Sequence, residues 1–381
     1  MSTHRTGAER AIRLLIAGGG TGGHVLPALA VVEELRGRGA LADVRWIGSL
    51  DGVEREAAER AGIPYVAIPT GKLRRYPSFR TVSDAGKIPM GIVQARKAIS
   101  EFRPDVVLST GGFVSVPGVV ASKGLAPSVT HEQTAILGLA TRINARVVDV
   151  LAVSWDATGP DARRIHRRVV VTGNPVRLSL LGGKAARAFE ALGFDPALPL
   201  VYVTGGARGA SPINTRIAAL LPDLLERCQI LHQTGPASAN PDLADLLAAQ
   251  STWPEGLRAR YRAVDFVGDE LADVYAAASF IVGRSGAGTV AELAVLGMPS
   301  ILIPLPGAGG DEQTINGRML ADASAAVLLP QPEATPERLR REIEALLDDP
   351  ERRSRMAAAA KRIGKPDAAA QLADVVLSLA R

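Results

Sequence analysis

The sequence predicts an α/β protein of two parallel-sheet domains, and three observations carry that expectation. Short apolar runs of strand length alternate with helical patterns along most of the chain, as they do when helices cover both faces of a parallel sheet. The theme of apolar strand, glycine loop and helix occurs twice, at Leu14–Gly23 and again at Leu200–Ala210. The length of 381 residues suits two domains at roughly 150 residues each. With 47% hydrophobic and only 22% charged residues, the chain has material for two cores, and disorder is not expected. The expected architecture is two Rossmann-like halves facing a cleft, residues 1–175 and 176–365.

The first strand, Arg13–Ala17, runs into Gly18-Gly-Gly-Thr-Gly-Gly-His24, and Pro27–Leu35 then has helical character with Pro in the first turn. A loop at a helix N-terminus collects free N–H groups and the positive end of the dipole, so it favours phosphate or another anion. His24 stands at its mouth and can titrate near neutral pH. Gly18-x-Gly20-x-x-Gly23 also fits a dinucleotide fingerprint, with Asp43 or Asp51 as the acid that should follow. Further strands are expected at Val44–Ile47, Tyr65–Ile68, Val106–Leu108, Ser128–Thr130, Val150–Val153 and Val169–Thr172. Helices such as Gly91–Phe102 and Ser115–Gly124 lie between them, and Gly173-Asn-Pro-Val176 breaks regular structure. The second half opens at Leu200 and continues with strands Gln229–Gln233, Arg262–Val267, Phe280–Gly283, Ser300–Pro304 and Ala326–Leu329. A linker, Pro330–Thr335, precedes alanine-rich helices, the last at Asp367–Ala380.

The single cysteine, Cys228, excludes an intrachain disulfide and fits a reducing compartment. No apolar run approaches the roughly 18 residues that span a bilayer. Arg5, Arg10 and Arg13 precede a run too short for an export signal, so export is not expected. The net charge of +5 is concentrated: Lys72–Lys97 carries seven basic residues and one acid, Asp84. No nucleic-acid motif accompanies it, and Leu73, Tyr76, Pro77, Phe79, Ile88, Met90 and Ile92 are interleaved with the charges. Basic and apolar residues mixed in this way read as a surface for anionic lipid, not for nucleic acid.

Three stretches after strands could carry chemistry. The first is Gly18–His24. The second is Ser109–Pro117 with His131-Glu-Gln-Thr134, which is not the His-Glu-x-x-His of a zinc site and reads on spacing as a buried histidine bonded to backbone. The third is Gly283–Leu293 with Pro304–Asn316. There a strand ends at Arg284 and a small-residue turn opens a helix at about Gly288 or Thr289, an arrangement suited to a diphosphate. Glu292 could accept a pair of ribose hydroxyls, and Gln313 and Asn316 would share a helical face. No metal cage and no Gly-x-Ser-x-Gly nucleophile elbow is present, so neither a metal nor a cofactor is expected.

Six motifs taken in order resemble one family. Gly18-Gly-Gly-Thr-Gly-Gly-His-Val-Leu-Pro-Ala28, Gly111-Gly-Phe-Val-Ser-Val-Pro117, His131-Glu-Gln133, Gly173-Asn-Pro-Val-Arg177, His232-Gln-Thr-Gly235 and Arg284-Ser-Gly-Ala-Gly-Thr289 are similar to those of the MurG family. These bacterial enzymes add N-acetylglucosamine (GlcNAc) to the lipid-linked muramoyl-pentapeptide of peptidoglycan. The resemblance implies a GT-B fold, with lipid I bound by the N-terminal domain, UDP-GlcNAc by the C-terminal one, and the last helix, 366–381, packed back on the first. It implies uracil near Phe266 and Val267, ribose on Glu292, diphosphate at Ala287, Gly288 and Thr289, and GlcNAc on Gln313 with Asn316 beside it. Arg177 would bind the nucleotide, Thr134 and Ala207 would border substrate, and Thr21, Gly22 and Gly23 would line the reacting end of the donor.

The implied reaction is inverting and metal-independent, with His24 as general base and Glu132 as the alternate base or the electrostatic partner of His24. Lys72, Leu73, Arg74, Arg75, Tyr76, Phe79 and Arg80 would dock the enzyme peripherally on the cytoplasmic face of the plasma membrane. Other proteins of cell-wall synthesis are open as partners. The chain departs from the family pattern at Thr134, at Ala207-Arg208 and at Glu312. Two rival readings are a nicotinamide-dependent oxidoreductase, which leaves 284–316 without a role, and a non-catalytic nucleotide-sugar sensor.

Overall fold

The computed structural model describes residues 10–71, 79–307 and 310–380. Strands β1 (Ile12–Gly18), β2 (Leu41–Gly48), β3 (Tyr65–Ala67), β4 (Val106–Gly111), β5 (Ser128–Glu132), β6 (Val150–Val153) and β7 (Val169–Val171) form one seven-stranded sheet. Its order is β3-β2-β1-β4-β5-β6-β7, and every pairing is parallel. Strands β8 (Leu200–Thr204), β9 (Gln229–Gln233), β10 (Tyr261–Val264), β11 (Ala278–Gly283), β12 (Ser300–Leu302) and β13 (Ala326–Leu328) form a second parallel sheet of six. Its order, β10-β9-β8-β11-β12-β13, repeats the first. In such sheets ligands bind beyond the carboxyl ends of the strands, where the order reverses. Those points lie between β1 and β4 and between β8 and β11.

The chain divides into two compact units, one running to Val176 and taking back the stretch from Pro366, the other Arg177–Lys365. In the first unit, β1 shows why continuous apolar sequence makes a doubly covered sheet. Leu14 and Ile16 pack with Val25, Ala28, Val31 and Leu35 of the helix Gly22–Gly37. Leu15 and Ala17 point the other way, into Ala95, Ile99 and Phe102 of the helix Phe79–Phe102. The last helix, Ala368–Leu379, adds Leu372, Val376 and Leu379 to the first of these cores. Spacings of four and three put these residues on one stripe, and each contributes roughly 1.5–3 kcal/mol by burial. In the second unit Val201, Val203, Ile213, Ile230, Phe280 and Ile301 share one core.

Several boundaries differ from expectation for physical reasons. The first helix begins at Gly22, because the His24 N–H bonds the Thr21 carbonyl at 3.1 Å and starts the turn early. Pro27 therefore lies in the second turn. The helix expected from Gly91 starts at Phe79 and runs through Pro89, held along its later turns by buried Ala95, Ile99 and Phe102. β10 ends at Val264, because the Asp265 carboxylate takes the Phe266 N–H at 2.8 Å and Gln233 Oε1 takes that of Val267 at 2.9 Å. Of the docking residues, Lys72, Leu73, Arg74, Arg75 and Tyr76 lie outside the described residues.

Candidate active site

In the first unit the loops leaving β1 and β4 brace one another. His24 Nδ1 lies 2.9 Å from Thr21 Oγ1. Gly112 has no side chain to intrude: a Cβ there would stand 2.3 Å from the Gly19 carbonyl and 3.3 Å from His24 Nδ1. His24 is half-buried, while Thr21, Gly22 and Gly23 are exposed beside it. Burial lowers the His24 pKa from its ordinary value, partly opposed by the charges of Glu132 and Glu54 and by the Gly19 carbonyl.

Glu132, at the end of β5, is 4% exposed and committed on both oxygens. Oε1 accepts the Thr134 N–H at 3.1 Å and the Thr134 hydroxyl at 2.8 Å, and Oε2 accepts the Gly138 N–H at 2.9 Å. Thr134 thus serves the carboxylate. His131 is fully buried, 2.9 Å from the Gly173 carbonyl, with Gln133 on its other nitrogen. Burial takes its pKa down to about 4, so it stays neutral.

The expectation of an open anion site in the first glycine loop is corrected by a residue that the sequence reading passed over. Glu54, in the first turn of the helix Val53–Arg60, is 0% exposed. Its Oε2 accepts the Gly20 N–H at 2.8 Å, and Oε1 accepts the Ser49 N–H at 2.9 Å and the Ser49 hydroxyl at 2.5 Å. Burial pushes its pKa up, but these bonds outweigh it and hold the group below its ordinary value. The chain therefore supplies an anion to its own loop. The fit requires glycine at 19, where φ is +152° and a Cβ would lie 2.3 Å from Glu54 Cδ. One sequence signal could have found it: an acid soon after the second strand, three residues beyond Asp51.

In the second unit the turns after β11 and β12 and the helix Glu312–Asp322 are tied together. Buried Arg284 donates to the carbonyls of Ile303 and Pro304, both at 3.0 Å, and to Gln331 Oε1 at 2.7 Å. The Ser285 hydroxyl donates to the Gln313 carbonyl at 2.7 Å, and Gln313 Oε1 accepts the Leu305 N–H at 3.0 Å. The helix over this turn starts at Ala287, one or two residues before the expected Gly288 or Thr289, and Ala287, Gly288 and Thr289 are half-buried. Gly288 needs no special backbone, and a Cβ there would meet nothing within 4 Å.

Glu292 lies in the second turn of that helix and accepts the Tyr275 hydroxyl at 2.8 Å on Oε2. Burial raises its pKa, against the Tyr275 bond and the charge of Arg177. Tyr275, on the helix Leu271–Ala277, is a second residue missed by the sequence reading, and only the fold brings its hydroxyl to Glu292. Phe266 is 54% exposed and Val267 3%. Gln313 is half-buried and Asn316 is 1% exposed, so the two expected amides differ in access. Ala207 and Arg208 are exposed in the loop after β8. Among the described residues there is no group of three His, Cys, Asp or Glu that could hold a metal ion.

The glycosyltransferase family 28 N-terminal domain matches residues 14–153, and the family 28 C-terminal domain matches residues 200–372. The chain is 37% identical over 97% of its length, and 94% of the relative's, to the UDP-N-acetylglucosamine–N-acetylmuramyl-(pentapeptide) pyrophosphoryl-undecaprenol N-acetylglucosamine transferase of Anaeromyxobacter sp. strain K. It is 34% identical to the enzyme of that name from Bacillus licheniformis, covering 97% of this chain and 99% of that one. The crystal structure of Acinetobacter baumannii MurG matches with a TM-score of 0.73 at 27% identity, over 96% of this chain and 99% of the other.

Proposed function

The chain belongs to glycosyltransferase family 28, and within it to the MurG transferases, and from that premise we propose how its residues divide the reaction. The enzyme has the GT-B fold and transfers GlcNAc from UDP-GlcNAc to undecaprenyl-diphospho-muramoyl-pentapeptide, converting lipid I to lipid II. One observation carries the division of labour. Glu132 already accepts three hydrogen bonds, whereas the bond of His24 to the Thr21 hydroxyl engages Nδ1.

His24 is the base, and Glu132 its electrostatic partner. In the tautomer whose Nδ1–H donates to Thr21, Nε2 carries the lone pair. The muramoyl 4-hydroxyl gives its proton to Nε2, and its oxygen attacks the anomeric carbon opposite the leaving group. The bond to the diphosphate breaks, UDP departs with the electron pair, and the α-linked donor becomes a β-linked product. General-base help of this kind is worth roughly 10²–10⁴ in rate.

Charge developing on UDP is met by the N-terminus of the helix Ala287–Leu296, whose N–H groups at Ala287, Gly288 and Thr289 are fixed before the reaction begins. Glu292 keeps Oε1 for the ribose hydroxyls while Tyr275 holds Oε2. Exposed Phe266 stacks on uracil, and Val267, its N–H already taken, offers its carbonyl. Gln313, not the buried Asn316, is the amide for the GlcNAc hydroxyls. Arg177 and exposed Arg208 supply positive charge to the nucleotide, Arg208 where Ala207 lacks a hydroxyl.

No helix of the described residues is long and apolar enough to cross a membrane. The enzyme reaches its lipid acceptor by docking peripherally on the anionic cytoplasmic leaflet through Lys72–Lys97. The deciding experiment is turnover of UDP-GlcNAc with and without the lipid acceptor in detergent, each with and without EDTA. Transfer that requires the acceptor and survives EDTA is expected. Binding without turnover would favour the sensor reading, and an absolute need for a divalent ion would sink the helix-terminus account.

A further inference from the structure

Glu54 is a buried carboxylate without a cationic partner. Among the described residues no arginine or lysine pairs with it; it accepts from the backbone of Gly20 and from the backbone and hydroxyl of Ser49, and the Tyr65 hydroxyl, which donates to the Ser49 carbonyl at 2.6 Å, lies against it. Burying such a charge without a countercharge is penalised, and here the hydrogen bonds of the loop outweigh that penalty. What it holds is the turn that presents Thr21 and His24. Gly20 N–H is fixed by Oε2, Gly19 is seated against the carboxylate carbon, and Thr21 is the next residue. The charged groups acting on the His24 ring are Glu132 from the end of β5 and Glu54 from the helix Val53–Arg60.

We propose that Glu54 is a positioning residue for glycosyl transfer: it clamps the Gly19–Gly20 turn behind His24 and shares with Glu132 the stabilisation of the imidazolium formed when His24 takes the acceptor proton. This rests on the reading of His24 as base. A carboxylate explains what a neutral residue in the same place would not. Before proton transfer its charge lies on hydrogen bonds alone, and after transfer it faces a cation. The interaction therefore strengthens as the transition state is approached, which is the condition for raising kcat rather than lowering KM.

The test compares Glu54→Gln, Glu54→Asp, His24→Ala and the double variant His24→Ala/Glu54→Gln in the full chain. It reads kcat, KM for UDP-GlcNAc and the pH profile of kcat/KM with the lipid acceptor. Glu54→Gln is expected to lower kcat at least about tenfold, with KM for UDP-GlcNAc within about twofold, because only a step at His24 is affected. Removing a negative charge near His24 lowers its pKa, so the acid limb of the profile should move to lower pH. Glu54→Asp keeps the charge and should hold the limb at the wild-type position. The double variant should be no slower than His24→Ala alone.

Acid unfolding of a destabilised variant would move the limb to higher pH, opposite to the expected shift, so partial unfolding cannot imitate it. Should Glu54→Gln not fold at all, Ser49→Ala, which removes one donor from the carboxylate, is expected to lower kcat about two- to fivefold with KM for UDP-GlcNAc unchanged; wild-type kcat there would count against the clamp. Wild-type kcat and an unmoved limb in Glu54→Gln, with His24→Ala inactive, would overturn the role of Glu54 and leave His24 in place. A lowered kcat with an unmoved limb would overturn the electrostatic role. Near-normal turnover in His24→Ala would instead overturn the reading on which the proposal rests.

Discussion

His24 and Glu132 differ in how much of each is already spent on hydrogen bonds, and that difference ranks them as bases. His24→Ala is expected to leave UDP-GlcNAc affinity nearly intact and to slow turnover at least about 100-fold, the lower range for a general base. Near-normal turnover would promote Glu132. On the donor side, Glu292→Ala should weaken UDP and UDP-GlcNAc equally, since its proposed contact is ribose, whereas Gln313→Ala should weaken the sugar nucleotide alone. Equal losses for UDP in both variants, read by calorimetry, would refute these assignments. His131 and His232 are buried and neutral, each with its pKa pushed down by burial to about 4. Both bind fewer protons folded than unfolded between about pH 4 and 6.5, so stability rises with pH through that window and is lost as pH falls. Each can cost on the order of 3 kcal/mol by pH 4, and urea midpoints should fall progressively below about pH 6.5. A flat profile from pH 7 to 5 would contradict both burials. The burial of His131 on a backbone carbonyl and the place of His24 at the mouth of the glycine loop were legible, because a histidine at a strand end and one beside a glycine loop look different in sequence. Glu54 was not, because on the polar helix Val53–Arg60 it looks like one more first-turn acid, and only the fold brings it under Gly20.

At the level of elements, the two helix N-termini behind glycine loops have different fates. The one at Gly22 has an internal carboxylate bonded to the loop before it, while the one at Ala287 opens on room that no protein atom fills above Gly288. Gly288→Val should therefore leave thermal stability unchanged or slightly raised, because glycine inside a helix costs roughly 0.5–1 kcal/mol against alanine and a Cβ there meets nothing within 4 Å. The same change should weaken UDP and UDP-GlcNAc at least about tenfold by filling the place proposed for the diphosphate, a loss of about 1.4 kcal/mol. Unchanged UDP affinity would move the diphosphate elsewhere. The positions of the strands were legible because parallel strands buried on both faces are continuous apolar runs between turn residues, although β2 begins three residues before the expected Val44 and β4 ends three after the expected Leu108. Their ends were less so: β10 stops early on side-chain bonds from Asp265 and Gln233, which no periodicity encodes. The early start of the helix Phe79–Phe102 escaped for a similar reason, since Pro89 reads as a break while the buried later turns hold the helix through it.

The whole molecule must bring a water-exposed active site to an acceptor that cannot leave its bilayer. Each buried CH₂ of a lipid chain is worth about 0.8 kcal/mol, and a polyprenyl tail has many, so extraction is prohibitive, which supports the proposal that the enzyme docks on the membrane. The chain's net charge is +5, and Lys72–Lys97 alone holds seven basic residues and one acid, so the rest is close to neutral. On the proposed reading, the attraction to an anionic leaflet falls on one segment. The described part of it supports a mixed surface: Met90 is 52% and Val93 69% exposed on the helix Phe79–Phe102, with Lys87, Arg96 and Lys97 also exposed. Each basic residue near an anionic surface supplies roughly 1 kcal/mol, an attraction that fades within a Debye length, whereas apolar insertion does not depend on salt. Binding to anionic vesicles should therefore weaken with salt without vanishing. Arg74→Glu/Arg75→Glu/Arg80→Glu should abolish most of the preference for anionic over neutral lipid, and Met90→Ser/Val93→Ser should remove the salt-resistant remainder. Co-sedimentation with vesicles of both compositions, at low and high salt, separates the two contributions. Undiminished binding of the charge-reversed variant to anionic vesicles would exclude this segment as the docking face and leave the enzyme's route to its acceptor to another surface.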